Sequence, residues 1–284
     1  MPRALLEAPW PLLNELGISV PNLAASDAAG LLSSASKFAS ITNLRISLNE
    51  ATDTDAQIPK ALALFPSLQE LRLSGRPSRE EAVPISLSLP NLDRLVLHRQ
   101  AMIRAFSLLS APRLQHLALA AYPEENPTPV HWALLRPPRF PNLRSLRCET
   151  EDGDMHLIAD CIQGHPHLRD VHWEIEAQSA PQSIATLSSL MLNASHTQPS
   201  GTLLSQLDWF SITFSIAPEA SEELYAQVAC QLEMFAVTQD TIPAESRPKF
   251  KLCLESSLVE ASPEIARVVL MHRDIFLPDI HLPF

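Results

Sequence analysis

A chain of 284 residues with a formal charge of −11 is long enough to bury a sizeable core, and its acidity opposes phosphate backbones, so nucleic acid is not an expected partner. Hydrophobic residues make up 46% of the sequence, which excludes global disorder, while Cys148, Cys161, Cys230 and Cys253 lie far apart with no CxxC pair, which favours reduced thiols in an intracellular, cytoplasmic or nuclear protein. Glu7, Asn14 and Glu15 interrupt the apolar start and no uninterrupted apolar run is long enough for a span, so neither a signal peptide nor a membrane segment is expected.

One phrase dominates the chain: apolar, two variable residues, apolar, one variable residue, apolar. It reads Leu13/Leu16/Ile18, Ile41/Leu44/Ile46, Leu68/Leu71/Leu73, Leu92/Leu95/Leu97, Leu114/Leu117/Leu119, Leu143/Leu146/Cys148 and Leu168/Val171/Trp173. The steps between copies are 28, 27, 24, 22, 29 and 25 residues, inside the window of about 20 to 29 residues that marks leucine-rich repeats. The last two apolar positions of each phrase are two residues apart, which places them on one face of a short strand.

In chain order, the first strand is followed by an irregular turn near 28–38, and the second by a helix over 54–65 that ends at Phe65-Pro66-Ser67. A turn near 80–88 leads to Leu89-Pro90-Asn91 and the fourth strand, and the spacing of Met102, Ile103, Phe106 and Leu109 predicts a helix over 99–110 before Ala111-Pro112-Arg113. Turn residues near 128–136 precede Phe140-Pro141-Asn142 and the sixth strand, then a helix over 151–164 reaches His165-Pro166-His167 and the seventh. Proline at these five sites disfavours helix in the residue before it and separates each return segment from the new strand.

Beyond residue 175 the rhythm stretches. A helix over 182–193, a strand at Leu207/Phe210/Ile212, a helix over 219–235, a strand at Leu252/Leu254, a helix over 262–271 and an extended Phe276-Leu277-Pro278 complete the chain. The fold class expected is α/β: a leucine-rich-repeat solenoid, or horseshoe, with parallel strands on its concave side and irregular helices on its convex side. Residues 1–175 form the array and 176–284 a divergent continuation or cap of the same solenoid.

Strand alternation makes the residues between the apolar positions project from the concave face. The central column is Gly17, Arg45, Arg72, Val96, Ala118, Arg147 and His172, flanked by Glu70, Arg94, His116, His98, Ala120, Glu149 and Glu174. Arg45, Arg72, Arg94, Val96, His98, His116, Arg147 and His172 are the candidate protein-binding residues. Arg45 and Arg72 stand on consecutive strands, about 5 Å apart, close enough to grip one acidic segment, and Glu70 is placed to neutralise either. Trp173 occupies an inward position, Trp132 is expected to pack on a return segment, and Trp209 is the tryptophan placed to face outward.

Chemistry does not assemble. His165, His167 and His172 lie near Asp160, Asp170 and Glu174 without a ligand spacing, and Asp152, Asp154 and His156 read as turn and helix-start composition. His272-Arg273-Asp274 matches the centre of a kinase catalytic loop, but the glycine-rich loop and Asp-Phe-Gly segment are missing. No GxGxxG, P-loop, GxSxG or HExxH motif occurs, so no catalytic residue, cofactor or metal is assigned and the chain is expected not to be an enzyme.

The phrases FPSLQELRLSG, LPNLDRLVLHR, APRLQHLALAA and FPNLRSLRCET, with their Pro-x-Leu starts, resemble the leucine-rich-repeat portion of fungal F-box proteins over residues 10–175. That resemblance implies a non-catalytic adaptor whose repeats recognise substrates for a ubiquitin ligase. The repeats begin near residue 10, so an F-box is not expected before them, and a Skp1-type adaptor becomes a partner only if an F-box exists. The alternative is a repeat remnant or structural interaction protein with no ubiquitin connection. Asn49 matches the asparagine of the extended repeat phrase, but Arg76, Gln100, Tyr122, Glu151 and Glu176 occupy its later positions, so a regular asparagine ladder is not expected.

Overall fold

Apolar side chains two residues apart can share one core only if the backbone is extended, and strands stand where the seven phrases placed them. The computed structural model describes residues 14–20, 40–48, 62–63, 65–75, 86–98, 106–120, 139–150, 155–176, 180–197, 206–215, 221–242, 252–254 and 256–278. The fold is α/β, and every strand pair given below runs parallel. The chain divides into two units, residues 1–143 and 144–284.

In the first unit, β1 (Glu15–Val20), β2 (Asn43–Leu48), β3 (Glu70–Gly75), β5 (Arg94–His98) and β7 (His116–Ala120) form a parallel sheet in that order. Leu16, Leu44, Leu71, Leu95 and Leu117 are register partners from strand to strand, and Ile46, Leu73, Leu97 and Leu119 form the next row. From Leu44 onward the first row is buried, and so are Leu73, Leu97 and Leu119 in the second. A single strand of this length buries little apolar area, so it is the row of like side chains across neighbouring strands that makes the core.

A second small sheet pairs β4 (Leu87–Ser88) with β6 (Leu109–Ser110). This corrects the end of two sequence expectations, the turn near 80–88 and the helix over 99–110, of which residues 80–85 and 99–105 lie outside the described residues. Residues 106–108 form a turn and Leu109–Ser110 is extended. The physical cause is the alternation Leu87-Ser88-Leu89 and Leu109-Ser110-Ala111, whose apolar members are buried and whose serines are exposed, a period of two rather than 3.6. Pro90 and Pro112 reinforce it by holding the preceding residue away from the helical region, and the Leu89 N–H donates to the Ser110 carbonyl at 2.9 Å. The helix expected over 54–65 and the turns near 28–38 and 128–136 lie almost wholly outside the described residues, as does Trp132.

In the second unit, β8 (Ser145–Thr150), β9 (Asp170–Glu176) and β10 (Trp209–Ser215) form a parallel sheet. Leu146, Val171 and Phe210 form one inner row and Cys148, Trp173 and Ile212 the next, all buried. Helices α1 (Met155–Gly164), α2 (Ala180–Thr197) and α3 (Glu222–Thr241) alternate with the strands, and α4 (Ser256–Ala261) and α5 (Pro263–Met271) follow one another near the end of the chain. The Ser221 hydroxyl accepts from the Leu224 N–H to cap α3, and Glu222 and Glu223 oppose the positive end of its dipole. Ser262 caps α5 in the same way, with Pro263 in its first turn.

α3 buries Val228, Leu232, Phe235, Ala236 and Gln239 and packs against α2 and α5. The tail expected to be merely extended forms β12 (Phe276–Pro278), paired with β11 (Leu252–Leu254), and the Phe276 ring lies 6.1 Å from that of Phe235. His272-Arg273-Asp274 belongs to the turn that ends α5: the His272 N–H donates to the Val268 carbonyl, and the His272 carbonyl accepts from Ile275 and Phe276.

Candidate protein-binding face

Each strand of the first sheet starts at a fixed height because one carbonyl receives two successive N–H groups from the next strand. The Thr42 carbonyl accepts from Gln69 at 2.7 Å and Glu70 at 2.9 Å, the Gln69 carbonyl from Asp93 and Arg94, and the Asp93 carbonyl from Gln115 and His116. In the second unit, the Arg144 carbonyl accepts from Arg169 and Asp170, and that of Arg169 from Asp208 and Trp209. Before the strands, Leu68 donates to Phe65, Leu92 to Leu89, Leu114 to Ala111, Leu143 to Phe140 and Leu168 to His165, closing five X-Pro-x-Leu turns. Proline occupies the second place of each turn, where its fixed φ matches the required geometry.

These turns carry a ladder that the search for asparagine after the strands missed. Asn91 Nδ2 donates to the Pro66 carbonyl at 2.9 Å, Arg113 Nη1 donates to Asn91 Oδ1 at 3.2 Å, and Asn142 Nδ2 donates to the Pro112 carbonyl at 2.8 Å. The available signal was the recurring polar residue between proline and leucine in Pro-Asn-Leu and Pro-Arg-Leu.

The fixed register sets the outward residues of the first unit in rows: Glu15, Asn43, Glu70, Arg94 and His116, then Gly17, Arg45, Arg72, Val96 and Ala118. A Cβ built on Gly17 meets nothing within 4 Å, so the sheet is open above that end. Arg45 and His116 are exposed, while Arg72, Arg94, Val96 and His98 are half-buried. Arg72 Nε donates to Glu70, realising the neutralising pair, and Arg94 is Glu70's register partner on the next strand. Arg72 thus pairs with Glu70, while Arg45 is the register partner of Arg72 and Arg94 that of Glu70. Ala120, expected to face outward in the open, is buried; its methyl group sits beside His98 in the register.

On the corresponding face of the second unit burial is concentrated at β10, while Asp170 is exposed and Arg147 and Glu174 are half-buried. Arg147, His172 and Ser211 are register partners, and so are Ser145, Asp170 and Trp209. His172 Nδ1 lies 3.0 Å from Ser211 Oγ, and Arg147 pairs with Glu174 at 3.6 Å. Ser211 and Thr213 are both buried, and the Thr213 hydroxyl has no hydrogen-bond partner. Burial, aided by the charge of Arg147, pulls the His172 imidazole down to about 4. His172 is thus a neutral, half-buried side chain. Trp209 is half-buried on the same side, and Trp173 is core.

The three histidines near the seventh strand have different places. His165 fills the buried turn position occupied elsewhere by Phe65, Leu89, Ala111 and Phe140. Its Nδ1 lies 2.8 Å from the Cys161 carbonyl, which can only accept, so Nδ1 carries a proton; burial lowers the pKa of the ring, and this hydrogen bond partly opposes the shift. Cys161 Sγ is 3.7 Å from that ring, but burial pushes the thiol up to about 12, so this cysteine–histidine contact supplies no thiolate. His167 is exposed on the turn. Among the described residues no group of three or more His, Cys, Asp or Glu side chains is placed to hold a metal ion, and no helix is long and apolar enough to cross a membrane. Asp152 and Asp154 lie outside those residues.

No family model matches the chain, and no curated protein matches it. A structural-genomics protein of Bacteroides fragilis, known from a crystal structure, is similar in fold: TM-score 0.50 at 15% identity, covering 78% of this chain and 64% of that one. The chain thus spans less than two thirds of that protein's length, and the likeness concerns the fold alone.

Proposed function

We propose that the chain is a leucine-rich-repeat solenoid that binds another protein without catalysis, using the open face of β1, β2, β3, β5 and β7. The observation that carries this reading is the register that sets Arg45 beside Arg72, and Arg94 beside Glu70, on adjacent strands of a chain whose net charge is −11. Parallel neighbours in sequence order and a repeated proline turn before each strand favour the repeat architecture. Guanidinium groups in adjacent strands suit bidentate contact with carboxylates, so the partner chemistry is an acidic segment. Val96 and Ala118 beside them offer an apolar strip for a partner's side chain.

The resemblance to the repeat portion of fungal F-box proteins makes substrate recognition for an intracellular ubiquitin ligase the specific form of this role. Affinity capture with the wild-type chain and the Arg45→Glu/Arg72→Glu variant tests both levels. The expected result is an acidic companion whose affinity falls by about tenfold or more in the variant, as loss of two charged contacts implies, with the melting temperature unchanged. Equal affinity overturns the arginine site. Companions that include no ubiquitin-ligase component leave protein binding standing and remove the ubiquitin assignment.

A further inference from the structure

The second unit carries an exposed apolar surface that the sheet face does not use. Among the described residues five large apolar side chains are exposed, and four of them, Met234, Val237, Leu270 and Met271, belong to the packed helices α3 and α5. On α3, Met234 is 56% and Val237 57% exposed, and Cys230, one turn earlier, is exposed as well. At about 100° per residue these three fall within a sector of about 60° on the side opposite Val228, Leu232, Phe235 and Gln239. The inner face already packs against α2 and α5, so this stripe is not needed to hold the unit together.

We propose that this stripe docks a basic amphipathic segment of a partner protein. Charge selects the occupant. The twenty residues of α3 include Glu222, Glu223, Glu233 and Asp240 and not one Lys, Arg or His. No basic residue stands in the last turn, so the negative end of the helix dipole adds to the acidic side chains near Val237 and Asp240. α5 and the turn after it contribute both signs, Glu264 and Asp274 with Arg267 and Arg273, so α3 sets the field. A second copy would bring the same four carboxylates face to face with these. A helix with apolar residues at three and four residue spacing and lysines beside them satisfies both the stripe and its flanks, and the flexible thioether of Met234 adapts to varied apolar partners.

Cys230 lies on the face itself and is exposed, and peptide mapping separates it from Cys148, Cys161 and Cys253. The full chain is alkylated with iodoacetamide in the presence of a short helical peptide of leucine and lysine, or of its leucine and glutamate counterpart, and Cys230 is followed by peptide mapping. The leucine–lysine peptide slows modification of Cys230 by about tenfold at saturation, as occupancy of about 90% implies; the glutamate peptide leaves the rate unchanged. In an anisotropy titration, Met234→Lys/Val237→Lys abolishes binding of the leucine–lysine peptide without a change in melting temperature, both positions being exposed. The proposal is overturned if neither peptide protects Cys230, if both protect it equally, or if the substituted chain binds as tightly as wild type. Protection that rises with protein concentration alone overturns it too, and assigns the face to a second copy.

Discussion

The outward sides of the two sheets are written in the same strand phrase, yet Arg45 in the first unit is exposed while Ser211 and Thr213 in the second are buried. The inner rows are alike in burial: leucines from Leu44 to Leu119 in the first unit, and Leu146, Val171, Phe210, Cys148, Trp173 and Ile212 in the second, are removed from solvent. Strand alternation therefore fixes which side a residue faces and says nothing about whether that side is covered. The composition of the outward positions carries the second message. Long charged residues, Arg45, Arg72 and Arg94, occupy the open sheet, whereas serine and threonine alternate with Phe210 and Ile212 in β10, a pattern compatible with burial on both faces.

A charge placed at matched outward positions gives the largest effect and the sharpest break. Thr213→Glu puts a carboxylate where even the native hydroxyl lacks a partner, at a cost of about 3 kcal/mol, whereas Arg45→Glu, on an exposed site, changes stability by no more than about 0.5 kcal/mol. Equilibrium denaturation of the two variants separates them. Equal midpoints would mean that the two sheet faces are equally accessible and would end the contrast.

The next effect appears only on acidification. In the unfolded chain His172 titrates at its ordinary value of 6.5, and in the fold at about 4, because burial and then Arg147 oppose the imidazolium. Between those values the unfolded state holds a proton that the fold refuses, so stability rises with pH and is lost as pH falls from 6.5 towards 4. His165 shifts in the same direction, so His172→Asn is expected to flatten the fall in melting temperature across this window without removing it. An unchanged slope would place the imidazole in water.

Much of this molecule was legible as sequence, and the failures have physical causes. Strands at Leu44, Leu71, Leu95 and Leu117 followed from apolar spacing, and the helices expected over 219–235 and 262–271 stand as α3 and α5, their Ser221 and Ser262 caps appearing only in the structure. The short β4 and β6 strands were obscured because Phe106 and Leu109 also fit a helical spacing, and two extended residues are too few to outweigh it. The placement of Arg45 beside Arg72 was visible because register follows from the repeat. The contact of His172 with Ser211 joins groups remote in sequence, which no local pattern encodes.

The smallest effect concerns how the turns are joined. In the first unit neutral amides bridge them: Asn91 reaches the Pro66 carbonyl and accepts from Arg113, and Asn142 reaches Pro112. In the second unit a charged side chain joins a neutral amide in this work: Gln206 Nε2 donates to the Ile162 carbonyl at 2.9 Å, and Arg169 Nη1 donates to the carbonyls of Leu168 at 3.1 Å, Gln206 at 3.0 Å and Pro166 at 3.4 Å. A charged donor shared among carbonyls is worth more than an exposed amide bond, so Arg169→Ala costs about 1.5 kcal/mol and Asn91→Ala about 0.5 kcal/mol. Asn91→Asp separates the two halves of the amide's role, since it keeps an acceptor for Arg113 while setting a carboxylate against the Pro66 carbonyl. If the inter-turn donor matters more than the contact with Arg113, the aspartate variant unfolds at a lower denaturant concentration than the alanine variant, with the same m-value. The reverse order would assign the stabilisation to Arg113 and leave the amide ladder without an energetic role.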